Sequence, residues 1–212
     1  MRLLNKDRRV WLTGLVSGII GLALLMPAAS GAARLPDTDN HKIVPNRSIG
    51  GVKLDMSLQR VKQLWGKGAC TTTPATPGPF GTPAQVSCDW GVIDPTKGEH
   101  AHVTFLGNGP GATATIITIY ARRKASTGEF VAGTLSKWKT AANIHLGSPV
   151  SKVPEAYPAA KRNTGEAVQG WDLFSGTRPN LRYTRFATGP TGGGGRLMTI
   201  SMEWDYCHNF PC

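Results

Sequence analysis

His100-Ala101-His102 sets two imidazoles one residue apart, and on a β-strand both would stand on the same side. Such a pair is the kind of ligand set that transition-metal sites use, because imidazole nitrogen suits zinc, copper and nickel, although a lone pair is more often a surface feature. No carboxylate or cysteine nearby in sequence is placed to complete the set, so neither a metal nor a cofactor is expected. Nucleophilic chemistry is equally thin. The chain has no Gly-x-Ser-x-Gly elbow and no His-Glu-x-x-His pair. Thr191-Gly192-Gly193-Gly194-Gly195 lacks the Gly-Lys-Ser/Thr ending of a phosphate loop. The four cysteines form no Cys-x-x-Cys or Cys/His ligand pattern, and an even number reads as a disulfide framework. Local pairing gives Cys70–Cys88 and Cys207–Cys212. These residues point to binding rather than catalysis.

The elements that must position them repeat. Val52, Leu54, Leu58, Val61, Leu64 and Trp65 recur 92 positions later as Ile144, Leu146, Val150, Val153, Ala156 and Tyr157. Trp90, Phe105, Ile117 and Ile119 recur 81 positions later as Trp171, Phe186, Met198 and Ile200. Two constant offsets imply two copies of one supersecondary unit, the first carrying 11 extra residues. Glu99, Glu129, Glu155, Glu166 and Glu203 have no repeat-related carboxylate that would make an acid/base dyad.

In the first copy Ser57 caps a short amphipathic helix with Leu58, Val61, Leu64 and Trp65 on one face, stopped at Gly66. The second opens at Ser148-Pro149, with proline at the first helical position, and Pro154 and Pro158 shorten it. Three strands follow in each copy, over 86–92, 101–106 and 114–122, then 169–174, 181–186 and 196–202. Residues 71–83, with four prolines, read as a disulfide-tethered loop. The expected fold is α+β: two tandem copies of a helical segment and three antiparallel strands, helices on one face of the sheet. The divisions are a signal peptide over 1–33, a flexible lead-in over 34–47 and repeat one over 48–122, with its loop at 69–88. A connector over 123–142, repeat two over 143–206 and a disulfide-closed end over 207–212 complete the chain.

Alternation sorts the strands into two faces. Val103, Phe105, Ile117, Ile119, Phe186, Met198 and Ile200 form the apolar one. The other carries His102, Thr104, Ile116, Thr118 and Tyr120, with Tyr183, Arg185, Leu197, Thr199 and Ser201. Mixed aromatic, basic and hydroxyl groups of this kind can hold a protein partner, and His102, Thr104, Tyr120, Tyr183 and Arg185 are the candidate binding residues. An ordinary solvated sheet face has a similar composition. Trp90 and Trp171, related by the repeat, are assigned to the core. Arg178, Arg182, Arg185 and Arg196 mark the second copy as the charged one.

The start of the chain has a basic stretch, an apolar run from Trp11 to Met26 and small residues up to Ala33, the order found in a secretory signal peptide. The apolar run is shorter than the roughly 20 residues of a spanning helix, so no stable membrane span is expected after cleavage. The full chain carries +11; without residues 1–33 it keeps 20 basic against 12 acidic residues, a net of about +8. That charge suits an acidic envelope polymer or protein partner and suits plain solubility equally. Nucleic acid is not expected, since no binding motif appears.

Gly51-Val52-Lys53-Leu54-Asp55-Met56-Ser57-Leu58-Gln59-Arg60-Val61, followed by Leu64-Trp65-Gly66 and Cys88-Asp89-Trp90, resembles the opening of the β-lactamase inhibitory protein-like repeat. It is also similar to the small outer-membrane lipoproteins of the barrel-assembly machinery. Ile144-His145-Leu146-Gly147-Ser148-Pro149-Val150 with Tyr157-Pro158 looks like the same opening again. The resemblance implies a tandem helix-plus-sheet fold whose open concave face binds a partner. The chain departs from the lipoproteins in lacking a lipidated cysteine, and from the inhibitor in its Pro/Thr loop. The expected function is a secreted, non-catalytic binding module of the bacterial cell envelope. The alternatives are an inhibitor of a secreted hydrolase such as a β-lactamase, and an enzyme acting on envelope material.

Overall fold

The computed structural model describes residues 33–78, 81–163, 169–177, 180–189 and 192–204. The expected signal segment, Arg178, Glu166 and the Cys207–Cys212 pair therefore lie outside the described residues, Ala33 excepted.

A small hairpin opens the described chain, β1 (Ile43–Val44) with β2 (Ser48–Ile49), and α1 (Leu58–Trp65) follows. Ser57 caps α1 by accepting a hydrogen bond from the Arg60 N–H at 3.3 Å, which satisfies one of the free donors of a first helical turn. Leu58, Val61 and Trp65 are its buried face, and the helix ends at Gly66, whose φ of 80° only glycine adopts at low cost. Next come β3 (Ala69–Thr73), β4 (Gln85–Gly91), β5 (His100–Leu106) and β6 (Thr113–Tyr120). The connector holds a second hairpin, β7 (Arg122–Arg123) with β8 (Phe130–Val131), and a 3₁₀ turn at Leu135–Lys137. The second half comprises α2 (Lys152–Ala156), β9 (Lys161–Asn163), β10 (Gly170–Ser175), β11 (Arg182–Ala187) and β12 (Thr199–Trp204).

Eight strands form one antiparallel sheet in the order β3-β4-β5-β6-β12-β11-β10-β9. The expected α+β class with two helix-plus-three-strand units and a layer of helices is overturned. The protein is mainly β, and its described helices are two short ones of eight and five residues. The physical reasons are local. Thr71, Thr72 and Thr73 are β-branched and pair with Ser87, Val86 and Gln85, so the start of the presumed loop is an edge strand. Lys161–Asn163 adds another edge strand against Gly170–Asp172. Ser148 is not a helix cap: its hydroxyl accepts the His145 N–H at 3.0 Å. Pro149 bridges to Arg196 in extended form, and α2 begins only at Lys152.

The core lies on one side of this sheet. Val86, Cys88, Trp90, Val103, Phe105, Ile117, Ile119, Phe186, Ile200 and Met202 are all buried there, as alternation requires. Ile43, Ile49, Leu54, Leu135, Trp138, Ile144 and Leu146 belong to the same cluster, so hairpin and connector residues close the core together with the helices. Trp65 stands edge-on to Trp90 and Trp138 with ring centroids 5.3 and 5.8 Å away, and its indole N–H donates to the Gly50 carbonyl at 3.0 Å. Trp90 is fully buried, while Trp171 is half-buried against the cluster.

Two departures from simple alternation matter for the opposite face. Thr115 is an extra residue in β6, between the pairs Thr104–Ile116 and Phe105–Ala114, and its hydroxyl donates to the Thr104 carbonyl at 3.1 Å. Leu197, expected on the open face, is fully buried instead. It precedes β12, and its N–H and C=O bond to Ser148 and Gly147, so the strand's alternation does not reach it.

Candidate functional site

One cross-strand row runs over all eight strands on the side away from the core. It reads Ala69, Asp89, His102, Thr118, Ser201, Arg185, Asp172 and Lys161, each paired in register with the next. Read inward from β4 or from β10, the order is carboxylate, basic side chain, hydroxyl. In this row Asp89, His102 and Thr118 stand 83 positions before Asp172, Arg185 and Ser201, two more than the 81 between Trp90 and Trp171. The five candidate residues, His102, Thr104, Tyr120, Tyr183 and Arg185, all belong to these strands and this side. Thr118 and Ser201, at the centre, are buried between the longer His102 and Arg185 in the row.

In the first half, His100 and His102 converge on one carboxylate. Asp89 Oδ1 lies 2.7 Å from His102 Nδ1 and 3.2 Å from His100 Nε2. The other nitrogen of His102 is 3.0 Å from Thr104 Oγ1. His100 stacks on Tyr120 with centroids 4.4 Å apart and planes 4° from parallel. Burial holds the His100 imidazole below its ordinary basicity, against the pull of Asp89, and His102 adds to the lowering. Burial likewise raises the Tyr120 phenol, with Glu203 and Asp89 adding to it and the Thr118 hydrogen bond opposing. The sequence showed the two histidines but not their carboxylate. Asp89 lies eleven residues upstream of His100, and only the β4–β5 register brings it opposite His102.

The second half is a network of side-chain pairs. Arg185 donates through Nε to Asp172 Oδ1 at 2.9 Å and through a terminal nitrogen to Oδ2 at 3.1 Å, a two-pronged contact. Asn163 Nδ2 donates to the same carboxylate at 2.9 Å. The Arg185 guanidinium also lies 5.1 Å from the Tyr183 ring centre, and the Tyr183 hydroxyl donates to Glu203 Oε2 at 2.5 Å. Ser201 donates to the other Glu203 oxygen at 2.8 Å. Burial raises the Tyr183 phenol far above the usual tyrosine range, and the Glu203 carboxylate adds to it. Phe174 is exposed, 5.7 Å from the Tyr183 ring, with the Lys161 ammonium 5.9 Å from its own ring centre.

Sequence reading thus missed Asp89, Asp172, Glu203 and Phe174. One signal for the aspartates was available: each is next to a tryptophan that alternation sends to the other side, which leaves the carboxylate on the open one. The arginines carry less free charge than their number suggests. Arg182 lies 4.2 Å from the Trp204 ring centre and 3.5 Å from Asp55, and Arg196 donates to the Gly147 carbonyl at 2.7 Å. A groove lined by Asp39, Asn40, His41, Lys42, Lys137 and Lys139 contains none of the candidate residues. Cys70 and Cys88, directly opposite on β3 and β4, form the expected disulfide. Such a bond is compatible with an extracytoplasmic location. No helix among the described residues is long and apolar enough to cross a membrane. The chain matches no protein-family model, no curated protein and no solved structure.

Proposed function

We propose that this protein is an extracytoplasmic, non-catalytic binding module of the bacterial envelope that holds a protein partner on the open sheet face. The observation that carries the reading is the cluster of Phe174, Tyr183, Arg185, Asp172 and Glu203. Tyrosine and arginine are among the residues that dominate interface energetics. Here Tyr183 is fixed by its hydrogen bond to Glu203 and Arg185 by its two-pronged contact with Asp172, beside an exposed phenylalanine. Side chains already held in place lose little freedom on binding, which favours affinity. The same pairing argues against an acidic polymer as the occupant, because Arg185 already has its carboxylate.

The test is retention of envelope proteins by the full chain compared with F174A and with K97A, a change at an exposed turn away from the row. A species retained by the wild type and K97A but lost with F174A supports the reading. Equal retention by all three removes it. Retention of wall polymer alone, abolished by moderate salt, assigns the face to an acidic polymer instead.

A further inference from the structure

We infer that Asp89, His100 and His102 form a binding site for a divalent transition-metal ion of the zinc type. This is independent of the partner reading, since it rests on the other half of the face. The ligand atoms of the three residues all lie within 4.8 Å of one another. Zinc–nitrogen and zinc–oxygen bonds of about 2.0–2.2 Å imply ligand-to-ligand edges of roughly 3.3–3.5 Å in a tetrahedral site. The 3.2 Å between Asp89 Oδ1 and His100 Nε2 is already close to such an edge. The 2.7 Å to His102 Nδ1 must open by several tenths of an ångström, a small rotation of the carboxylate.

Three features make this more than a chance meeting of side chains. First, the residues sit on inner strands of a paired sheet: His100 and His102 share one side of β5, and Asp89 faces His102 from β4. Second, both rings are oriented by groups that would remain in place with a metal bound. Thr104 Oγ1 engages the outer nitrogen of His102, and the Tyr120 ring lies flat against His100. Support of the nitrogen that does not bind metal is the usual way a protein fixes a histidine ligand. Third, the side chains of Asp89, His100 and His102 are only 22, 11 and 24% exposed, which limits competition from water. Two imidazoles and one carboxylate suit zinc, with copper the stronger competitor by general affinity order, and do not suit magnesium or calcium, which prefer all-oxygen sites. The geometry further specifies which atoms bind: Nε2 of His100, Nδ1 of His102 and one oxygen of Asp89, with remaining positions open to a water or a partner's side chain.

The test is titration of the full chain, freed of metal by chelation, with Zn²⁺ by calorimetry and with Co²⁺ by visible absorption. The expected result is one strong Zn²⁺ per chain and a Co²⁺ spectrum of low coordination number. D89N and H102Q should each weaken binding by more than the roughly tenfold expected for T104V, which removes only the outer support. H41A, in the separate groove, should leave it unchanged. Circular dichroism checks that each variant is folded. NMR of the imidazole nitrogens should show His102 bound through Nδ1 and His100 through Nε2. Binding no tighter than millimolar, or binding that survives D89N and H102Q but falls with H41A, overturns the assignment. So does a ligated His102 Nε2.

Discussion

Arg185 and Asp172 face each other across β11 and β10 and share two parallel hydrogen bonds, with the carboxylate more deeply buried than the guanidinium. Arg185, which the sequence presents as part of the second copy's basic excess, is thus a clamp that holds the strand face. R185A leaves a carboxylate that is 9% exposed with Asn163 as its remaining described side-chain partner. Removing one member of a fully buried pair costs about 3–5 kcal/mol, and because Arg185 is itself 31% exposed the loss here should be nearer 2 kcal/mol. R185K should recover little, since an ammonium cannot make the two-pronged contact. Urea denaturation of R185A, D172N and the double variant measures it. A coupling energy near zero in that cycle would falsify the clamp.

Tyr183 gives the protein an alkaline weakness. Its phenol is kept protonated by burial first and by Glu203 second, with Asp172 adding and Arg185 opposing. The ordinary tyrosine value is 10.0, so above that pH the unfolded chain loses a proton that the folded chain retains. The stabilisation is complete below pH 10 and falls as pH rises above it. Y183F loses one hydrogen bond, about 1 kcal/mol at neutral pH, but its stability should decline less steeply in alkali. Thermal melts at pH 7 to 11 distinguish the two curves; parallel curves would contradict the burial of a protonated phenol.

The Cys70–Cys88 bond closes a sequence separation of 18 residues and should contribute about 3 kcal/mol through the unfolded chain. Because Ala69–Thr73 is an exposed edge strand, its pairing to β4 should be the first to open on reduction. Hydrogen exchange in reductant should speed at Thr71–Thr73 while the amides of β5 and β6 stay protected. Simultaneous loss in all of these strands would show that the edge strand is not a separate unit.

Trp65 ties α1 to the sheet and to the lead-in hairpin. W65A removes a side chain 1% exposed, its contacts with Trp90 and Trp138 and its bond to Gly50, for an expected loss of about 3–5 kcal/mol. Its neighbour Gly50 should be as intolerant. It has φ of 56°, and a Cβ there would run into the Trp138 ring, so G50A should also fall by several kcal/mol. Chemical denaturation followed by tryptophan fluorescence reads both; losses under 1 kcal/mol would mean that this aromatic cluster is not central to the core.

The sequence by itself determined the features that are local in the chain. Ser57 and Gly66 delimit α1 because a cap hydroxyl and a glycine act within one helical turn. Alternation placed Val103, Phe105, Ile117 and Ile200 on the buried side because strand geometry sends every second residue the same way. It also identified Cys70 and Cys88 as neighbours, and named His102, Thr104, Tyr120, Tyr183 and Arg185 on one side. Only the tertiary structure decided how that side is composed. Register between strands depends on pairing partners far apart in the chain, so Asp89 reaches the two histidines, and Asp172 reaches Arg185, through contacts no local pattern encodes. The same holds for the fold class: whether Thr71–Thr73 and Lys161–Asn163 are loops or strands is settled by the neighbouring strand that supplies their hydrogen bonds.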